Sequence, residues 1–291
     1  MMERKRHHLI LGLIEERSFV SVAELRTLLS ASGTTIRRDI ATLAEQGVIR
    51  RIRGGAESIQ PHPSPTPASA PLALRADGAM AQKRAIARAA AALIASGESV
   101  VINGGTTTCA MVEFLADKDL DILTNSVPIA TQLLATSCNR ITMSGGTIFR
   151  EQNIVLSPFE NDTTEHFWGD KLFTGCYGIN RLGLMEADPL IVHAQTKLLK
   201  RCDEVIVLAD SSKLRQKSAM VVSELARISV VITDSDASAQ DVDALRSAGT
   251  KVVIATVSVE DREHTGSTAR FAVADALAAQ PRVRARCEAS R

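Results

Sequence analysis

Two clusters in this 291-residue chain have the residue types to hold anions, and they lie far apart in the sequence. The first is Ser32, Thr34, Thr35, Arg37 and Arg38, followed closely by Arg50, Arg51 and Arg53. Arginine offers a planar fork of donors that pairs bidentately with guanine or grips phosphate, and nearby hydroxyls extend that donor set. The second is Gly104-Gly105-Thr106-Thr107-Thr108, which follows the apolar run Val100-Val101-Ile102. Glycine-exposed N–H groups and hydroxyls at the start of a helix suit a phosphate. Neither cluster decides the matter alone. The arginines are equally consistent with a solvated face, and the glycine loop fits neither the GxGxxG pattern nor a Walker A loop.

The elements that would carry the first cluster are readable. Ser21 and Glu24 have capping-box spacing, and Val22, Leu25, Leu28 and Leu29 recur with helical period, which starts a helix of about eight residues. Ser30-Ala31-Ser32-Gly33 interrupts it, and Ser32 or Thr34 caps a second helix. Ile36, Ile40 and Leu43 of that helix face inward, which leaves Thr34, Thr35, Arg37 and Arg38 outward. Val48 to Gly55 reads as a short basic hairpin. Two helices, a turn and a hairpin within residues 1–57 make a winged helix-turn-helix DNA-binding module with the second helix as its reader. The charge agrees, with ten Lys or Arg against seven Asp or Glu in that segment of a chain whose net charge is only +1.

Residues 58–78 hold five of the nine prolines, Pro61 to Pro71, and read as an extended linker. From residue 79 to 256, strand-like and helix-like segments alternate. Strands are expected at Ser99–Asn103, Asp121–Thr124, Arg140–Ser144, Lys171–Gly175, Glu204–Ala209, Ser229–Thr233 and Lys251–Ala255. Helices are expected at Met80–Ala95, Thr107–Ala116, Pro128–Thr136, Pro189–Cys202 and Ala239–Ala248. Such alternation implies an α/β domain, a mostly parallel sheet covered on both faces. Residues 257–291 lose the pattern and read as a mobile tail. In an open parallel sheet, ligands sit beyond the carboxyl ends of the strands, so the loops Thr124-Asn125-Ser126, Ser144-Gly145-Gly146, Leu156-Ser157-Pro158 and Asp210-Ser211-Ser212-Lys213 join the glycine loop as candidates. Ordinary turn chemistry accounts for most of them equally well, while Lys213 could neutralise an anion.

Five cysteines without CxxC spacing point to reduced thiols rather than a disulfide framework or a zinc knuckle, and six scattered histidines give no metal site. No cofactor is implied. The absence of an 18-residue apolar run and of a signal peptide leads to a cytoplasmic expectation with no membrane partner. Trp168 and Tyr177 read as core or interface aromatics, with a place in a pocket as the other reading.

Taken together, the motifs TTIRRDIATLAEQGVIRRIRGGA, KRAIARAAAALI, GGTTT, TNS, SGGT and LADSSKL, spread over residues 3 to 255, resemble the DeoR family of transcriptional regulators. That resemblance implies an effector domain related in fold to ribose-5-phosphate isomerase and a phosphorylated sugar or sugar acid as ligand. It places phosphate on Gly105, Thr106 and Thr107, with Asn103, Gly104, Asn125, Ser126, Gly145, Gly146, Gln195 and Lys213 around the same pocket. Arg37 and Arg38 would touch operator DNA, a homo-oligomer (dimer or tetramer) would present paired modules, and the target would be a carbohydrate or sugar-acid catabolic operon under repression. The family commonly has Asp where Asn103 stands, an Asp-bearing segment where Gly175 to Asn180 stands, and Glu where Gln195 stands. An isomerase needs carboxylates to move a proton between sugar carbons, and neutral amides do not serve. The expectation is therefore a regulator and not an enzyme. The rival is a sugar-phosphate isomerase with an accessory nucleic-acid domain, for which Glu186 and Asp210 remain. A constitutive architectural DNA binder is a third reading, one that leaves the polar loops unexplained.

Overall fold

The computed structural model describes residues 6, 7, 9–11, 19–29, 31–52, 54–58, 79–157, 159 and 161–263, in two units divided at Thr66 and Pro67. Arg53 and residues 59–78 of the expected linker lie outside the described residues.

In the first unit, strand β1 (Phe19–Ser21) leads into helix α1 (Val22–Leu29), helix α2 (Gly33–Glu45) and the hairpin β2 (Ile49–Ile52) and β3 (Gly55–Ser58). The capping box forms: Ser21 N–H donates to Glu24 Oε2 at 2.9 Å and Glu24 N–H to Ser21 Oγ at 3.2 Å. Between the two candidate caps of α2 the backbone chooses Ser32, whose Oγ accepts the Thr35 N–H at 3.1 Å. The three strands pair antiparallel in the order β1-β3-β2. Ile10, Val20, Leu25, Ile36, Ile40, Leu43 and Ile49 meet in one core, so the inward face of α2 is the one its period dictates.

The second unit contains α3 (Met80–Ala91), β4 (Ser99–Ile102), α4 (Thr106–Cys109), β5 (Asp121–Thr124), α5 (Val127–Thr136), β6 (Arg140–Met143), β7 (Thr147–Phe149), β8 (Ile154–Leu156), β9 (Gly169–Thr174), β10 (Gly178–Asn180), β11 (Gly183–Glu186), α6 (Pro189–Leu199), β12 (Cys202–Leu208), β13 (Met220–Ser223), β14 (Val230–Asp234), α7 (Ala239–Ser247), β15 (Lys251–Ala255) and α8 (Val259–Glu263). Seven of these strands form one wholly parallel sheet in the order β15-β14-β12-β9-β4-β5-β6. Each of the seven expected strands is present, Asp121–Thr124 and Lys251–Ala255 with the expected bounds and the other five offset at an end by a residue or two. Successive side chains feed opposite faces: Phe173, Ile206 and Leu208 pack with α3 and α5, while Leu172, Val205 and Val207 pack with α6 and α7. Burial on both faces explains why these strands read as continuous apolar runs.

Four expectations need correcting. The helix expected over Thr107–Ala116 is one α-helical turn, α4, continued as a 3₁₀ helix through Phe114. The expected tail does not begin at 257: α8 packs on α3, and Asp261, fully buried, takes hydrogen bonds from Arg84 and Arg88 at 2.7 Å each. Residues 264–291 of that tail lie outside the described residues. Cys109, Cys176 and Cys202 are free thiols as expected, but Cys138 is disulfide-bonded. Ser58, assigned to the linker, instead pairs with Ile49 in the hairpin.

Candidate functional site

Each unit carries one candidate site. In the first, Ser32, Thr34, Arg37, Arg38, Arg50 and Arg51 are all exposed and Thr35 is half-buried. Arg37 from α2 and Arg51 from β2 border one concavity of about 440 Å³, together with Val22, Ile40, Ile52 and Gly54. Arg38 and Arg50 lie outside that concavity. The hydroxyls of Ser32 and Thr35 are 2.8 Å apart, and Ser32 also caps the helix, so both are already engaged locally. Thr34, Arg37 and Arg38 remain the outward donors at the start of α2.

Asp39, inside the TIRRD motif, is a further structural residue of this unit that composition and charge do not single out. It is buried on the inner side of α2, where Arg6 Nε and Nη2 donate to its two oxygens at 2.7 and 2.9 Å, and His7 Nε2 lies 3.1 Å from Oδ1. Burial by itself would raise the Asp39 pKa, but the hydrogen bonds and charges of Arg6 and His7 prevail and hold it below the usual carboxylate range. The motif's acid thus fixes α2 to the N-terminal segment, and its arginines point outward. An acid following the outward pair on the inward period was the available signal.

The second site follows from topology. From β4 the chain steps through β5 to β6 on one side of the sheet and later continues through β9 on the other, so the strand order reverses between β4 and β9. Loops leaving the carboxyl ends of two such strands diverge and open a crevice. There lies a cleft of about 470 Å³ lined by Asn103, Gly104, Gly105, Thr106 and Thr107 after β4, Gly175 and Cys176 after β9, and Asp210 to Lys213 after β12. The first N–H groups of α4 precede any i−4 acceptor and are available to a ligand. Gly104 is dictated by space, because a Cβ there would fall 2.3 Å from Ile154 Cγ2.

Asn103 lines the cleft, whereas Asn125 and Gln195 do not; they form its support. Asn125 Nδ2 donates to Asn103 Oδ1 at 2.9 Å, and Asn103 Nδ2 donates to Thr174 Oγ1 at 2.9 Å. Gln195 Nε2 donates to that same hydroxyl at 2.6 Å and to the Gly175 carbonyl at 2.9 Å. The amides that replace expected carboxylates therefore form one neutral buried network. Gly145, Gly146 and Ser126 also lie away from the cleft lining. Gly145 and Gly146 make the turn into β7, and Ser126 caps α5 through the Ile129 N–H. Trp168 is 57% exposed and its indole donates to Asp203, away from the cleft.

Several lining residues were not singled out from sequence: Gln82 and the buried Lys83 on α3, Cys176, and Asp236, which accepts from Gln82 Nε2 at 3.0 Å. Two lysines, Lys83 and Lys213, thus border the cleft along with the carboxylates Glu186, Asp210 and Asp236. Glu186 accepts the Tyr177 N–H at 3.1 Å, and Asp210 caps the turn that carries Lys213 by accepting the Ser212 N–H at 3.1 Å. Burial, followed by the neighbouring Glu186 carboxylate, pushes the Cys176 thiol far up, so it stays protonated. Among the described residues no cluster of histidine, cysteine or carboxylate could hold a metal ion, and no helix is long and apolar enough to cross a membrane.

Comparison with known proteins bears on both units. Residues 6–62 match the DeoR-like helix-turn-helix domain, and residues 79–235 match the DeoR C terminal sensor domain. The chain is 33% identical over 254 residues to the HTH-type transcriptional regulator UlaR of Shigella dysenteriae serotype 1 (strain Sd197), covering 87% of this chain and 99% of that protein. Identity and coverage are the same for UlaR of Escherichia coli (strain SMS-3-5 / SECEC). Among solved structures, ribose 5 phosphate isomerase A from Neisseria gonorrhoeae aligns over 45% of this chain at 18% identity and a TM-score of 0.32. The chain spans about half of that enzyme, 52%, and a score so low carries no argument. A transcriptional regulator from Streptococcus pneumoniae TIGR4 aligns over 80% of this chain and 99% of its own at 12% identity and a TM-score of 0.30, which carries none either. With an arginine-bearing winged module, a polar cleft at the switch point of a parallel sheet, and both domain matches in the same order, the chain belongs to the DeoR family of DNA-binding transcriptional regulators.

Proposed function

We propose that the protein represses a carbohydrate or sugar-acid catabolic operon and releases it when a phosphorylated sugar or sugar acid fills the cleft of the second unit. The observation that carries this reading is the placement of Gly104–Thr107 in one cleft with Lys83 and Lys213. The phosphate would take the open N–H groups and hydroxyls of Gly105, Thr106 and Thr107, a lysine would balance its charge, and the carboxylates would accept sugar hydroxyls. Gly104, Asn103 and Lys213 border the ligand in this scheme, while Asn125 and Gln195 hold their geometry. Release is a matter of linkage: a ligand that binds one arrangement better lowers the population of the arrangement competent for operator DNA.

Oligomerisation belongs to the same proposal, since a single small module makes few base contacts and two modules read two half-sites. Met220 and Val221 on β13, an edge strand with exposed apolar side chains, are the surface that a second copy would cover. The chain would act in the cytoplasm without turnover, because the amides Asn103 and Gln195 stand where proton-moving carboxylates would be needed. A thermal-shift screen of phosphorylated sugars, including pentose phosphates and L-ascorbate 6-phosphate, tests the ligand, and turnover of any of them would restore the isomerase reading. A gel-shift titration of Arg37→Ala/Arg38→Ala tests the DNA face, and unchanged operator affinity would refute it.

A further inference from the structure

Arg26, in the last turn of α1, belongs to none of the motifs above, yet its side chain crosses to the start of α2. A Cβ added to Gly33, the first residue of α2, would lie 3.3 Å from Arg26 Cδ, 3.7 Å from Arg26 Nε and 3.7 Å from Arg37 Nη1. Two arginine side chains from two helices therefore converge over one bare glycine. Both are exposed, and among the described residues neither is paired with a carboxylate. The contrast with Arg6 and Arg84 is informative, because each of those is tied to an acid. Asp39, the buried acid of α2, is already engaged by Arg6 and His7.

Two like charges held close without a counter-charge repel, so their approach costs free energy until an anion arrives from outside. The module binds DNA, and the anion that duplex DNA presents in a row is the phosphodiester. We propose that Arg26 is a backbone contact of the DNA interface: together with Arg37 it grips one phosphate beside the groove, and Gly33 leaves the room its stem needs. Such a contact fixes the register of α2 on the duplex and carries no sequence information itself. It extends the basic face from Arg51 and Arg37, which share a concavity, to α1.

The test uses the full chain, a fluorescently labelled duplex of mixed sequence, and anisotropy titrations across a series of salt concentrations. Arg26→Gln keeps a polar side chain but removes the charge. It should weaken binding roughly three- to tenfold at low salt and reduce the slope of log affinity against log salt by about 0.9, the share of one phosphate contact. Arg26→Lys should retain most of that slope. Gly33→Ala displaces the Arg26 stem without removing charge, so its loss should not add to that of Arg26→Gln in the double variant. Unchanged affinity and slope in a folded Arg26→Gln variant would overturn the proposal, as would fully additive losses in the pair. If Arg26→Gln does not fold, Arg26→Lys and Gly33→Ala still decide: wild-type affinity in Gly33→Ala overturns it.

Discussion

Asn125 Oδ1 accepts the Gly104 N–H at 2.8 Å, so a side chain outside the sensor cleft sets the backbone of the loop that lines it. The same amide donates to Asn103, which lines the cleft, so loop and floor share one anchor.

Asn125→Ala should therefore weaken a ligand that it never touches. Leaving the half-buried Gly104 N–H and the buried Asn103 Oδ1 unpaired costs about 1–3 kcal/mol of stability, and a loosened loop should reduce phosphate affinity about tenfold. Calorimetric titration with inorganic phosphate, alongside a melting curve, reads both effects. Wild-type phosphate affinity in the variant would show that the loop holds its shape without Asn125.

Asp39→Asn should loosen α2. Because the folded-state pKa of Asp39 lies below its ordinary value, the charge stabilises the fold above the unfolded pKa of about 3.9 and that contribution disappears as pH falls through the lower folded value. The melting temperature of the variant should thus lie below wild type at neutral pH, and the gap should narrow as pH drops under about 4. A gap independent of pH would mean that the Arg6 and His7 bonds act as ordinary neutral contacts.

Gln195→Glu places a carboxyl where Gln195 Nε2 now donates to a carbonyl and a hydroxyl. A buried carboxyl facing the Gly175 carbonyl needs its proton, so its folded-state pKa must rise above the unfolded value of about 4.3. Relative to wild type, the variant should be most nearly stable at low pH and lose stability as pH climbs through neutrality. Equal melting temperatures for variant and wild type at about pH 5 and pH 8 would exclude that constraint.

Asp261→Asn should release α8 from α3. Burial pushes the Asp261 pKa up, but hydrogen bonds from Arg88 and Ser258 bring it down to about 2, which corresponds to about 2 kcal/mol of stabilisation above pH 4 that is lost between about pH 4 and pH 2. Hydrogen exchange at residues 258–263 should accelerate in the variant at neutral pH. Unaltered protection there would mean that apolar contacts alone dock the helix.

The sequence exposes those parts of this molecule that repeat a period. Seven buried strands and the inward face of α2 are visible because burial on both sides of a sheet, or on one side of a helix, leaves a pattern of several residues. The hairpin β7–β8 and the small sheet β10-β11-β13 are hidden because strands of three or four residues rest on pairing between distant segments. The glycine loop and Lys213 were legible in chemistry, and the structure brings them together. Lys83 was not, since it lies inside an Ala-rich helix, and nothing in that period says which side meets the cleft. Asn125 and Gln195 were legible as polar residues near the ends of elements, but whether they line the cleft or brace it depends on the folded arrangement. Cys138 shows the reverse failure, because the spacing of the cysteines gives no sign of its disulfide.

Helix α3 is clamped at Arg84 and Arg88 by Asp261, and at Arg84 again by Glu113. Its remaining first turn holds Gln82 and Lys83, which border the cleft, and it follows Ala79, whose φ of +55° is a conformation that alanine adopts at a cost. The wall of the cleft on this side is therefore the free end of a helix whose next turns are pinned, and Asp261, although it does not line the cleft, limits how far that wall can shift.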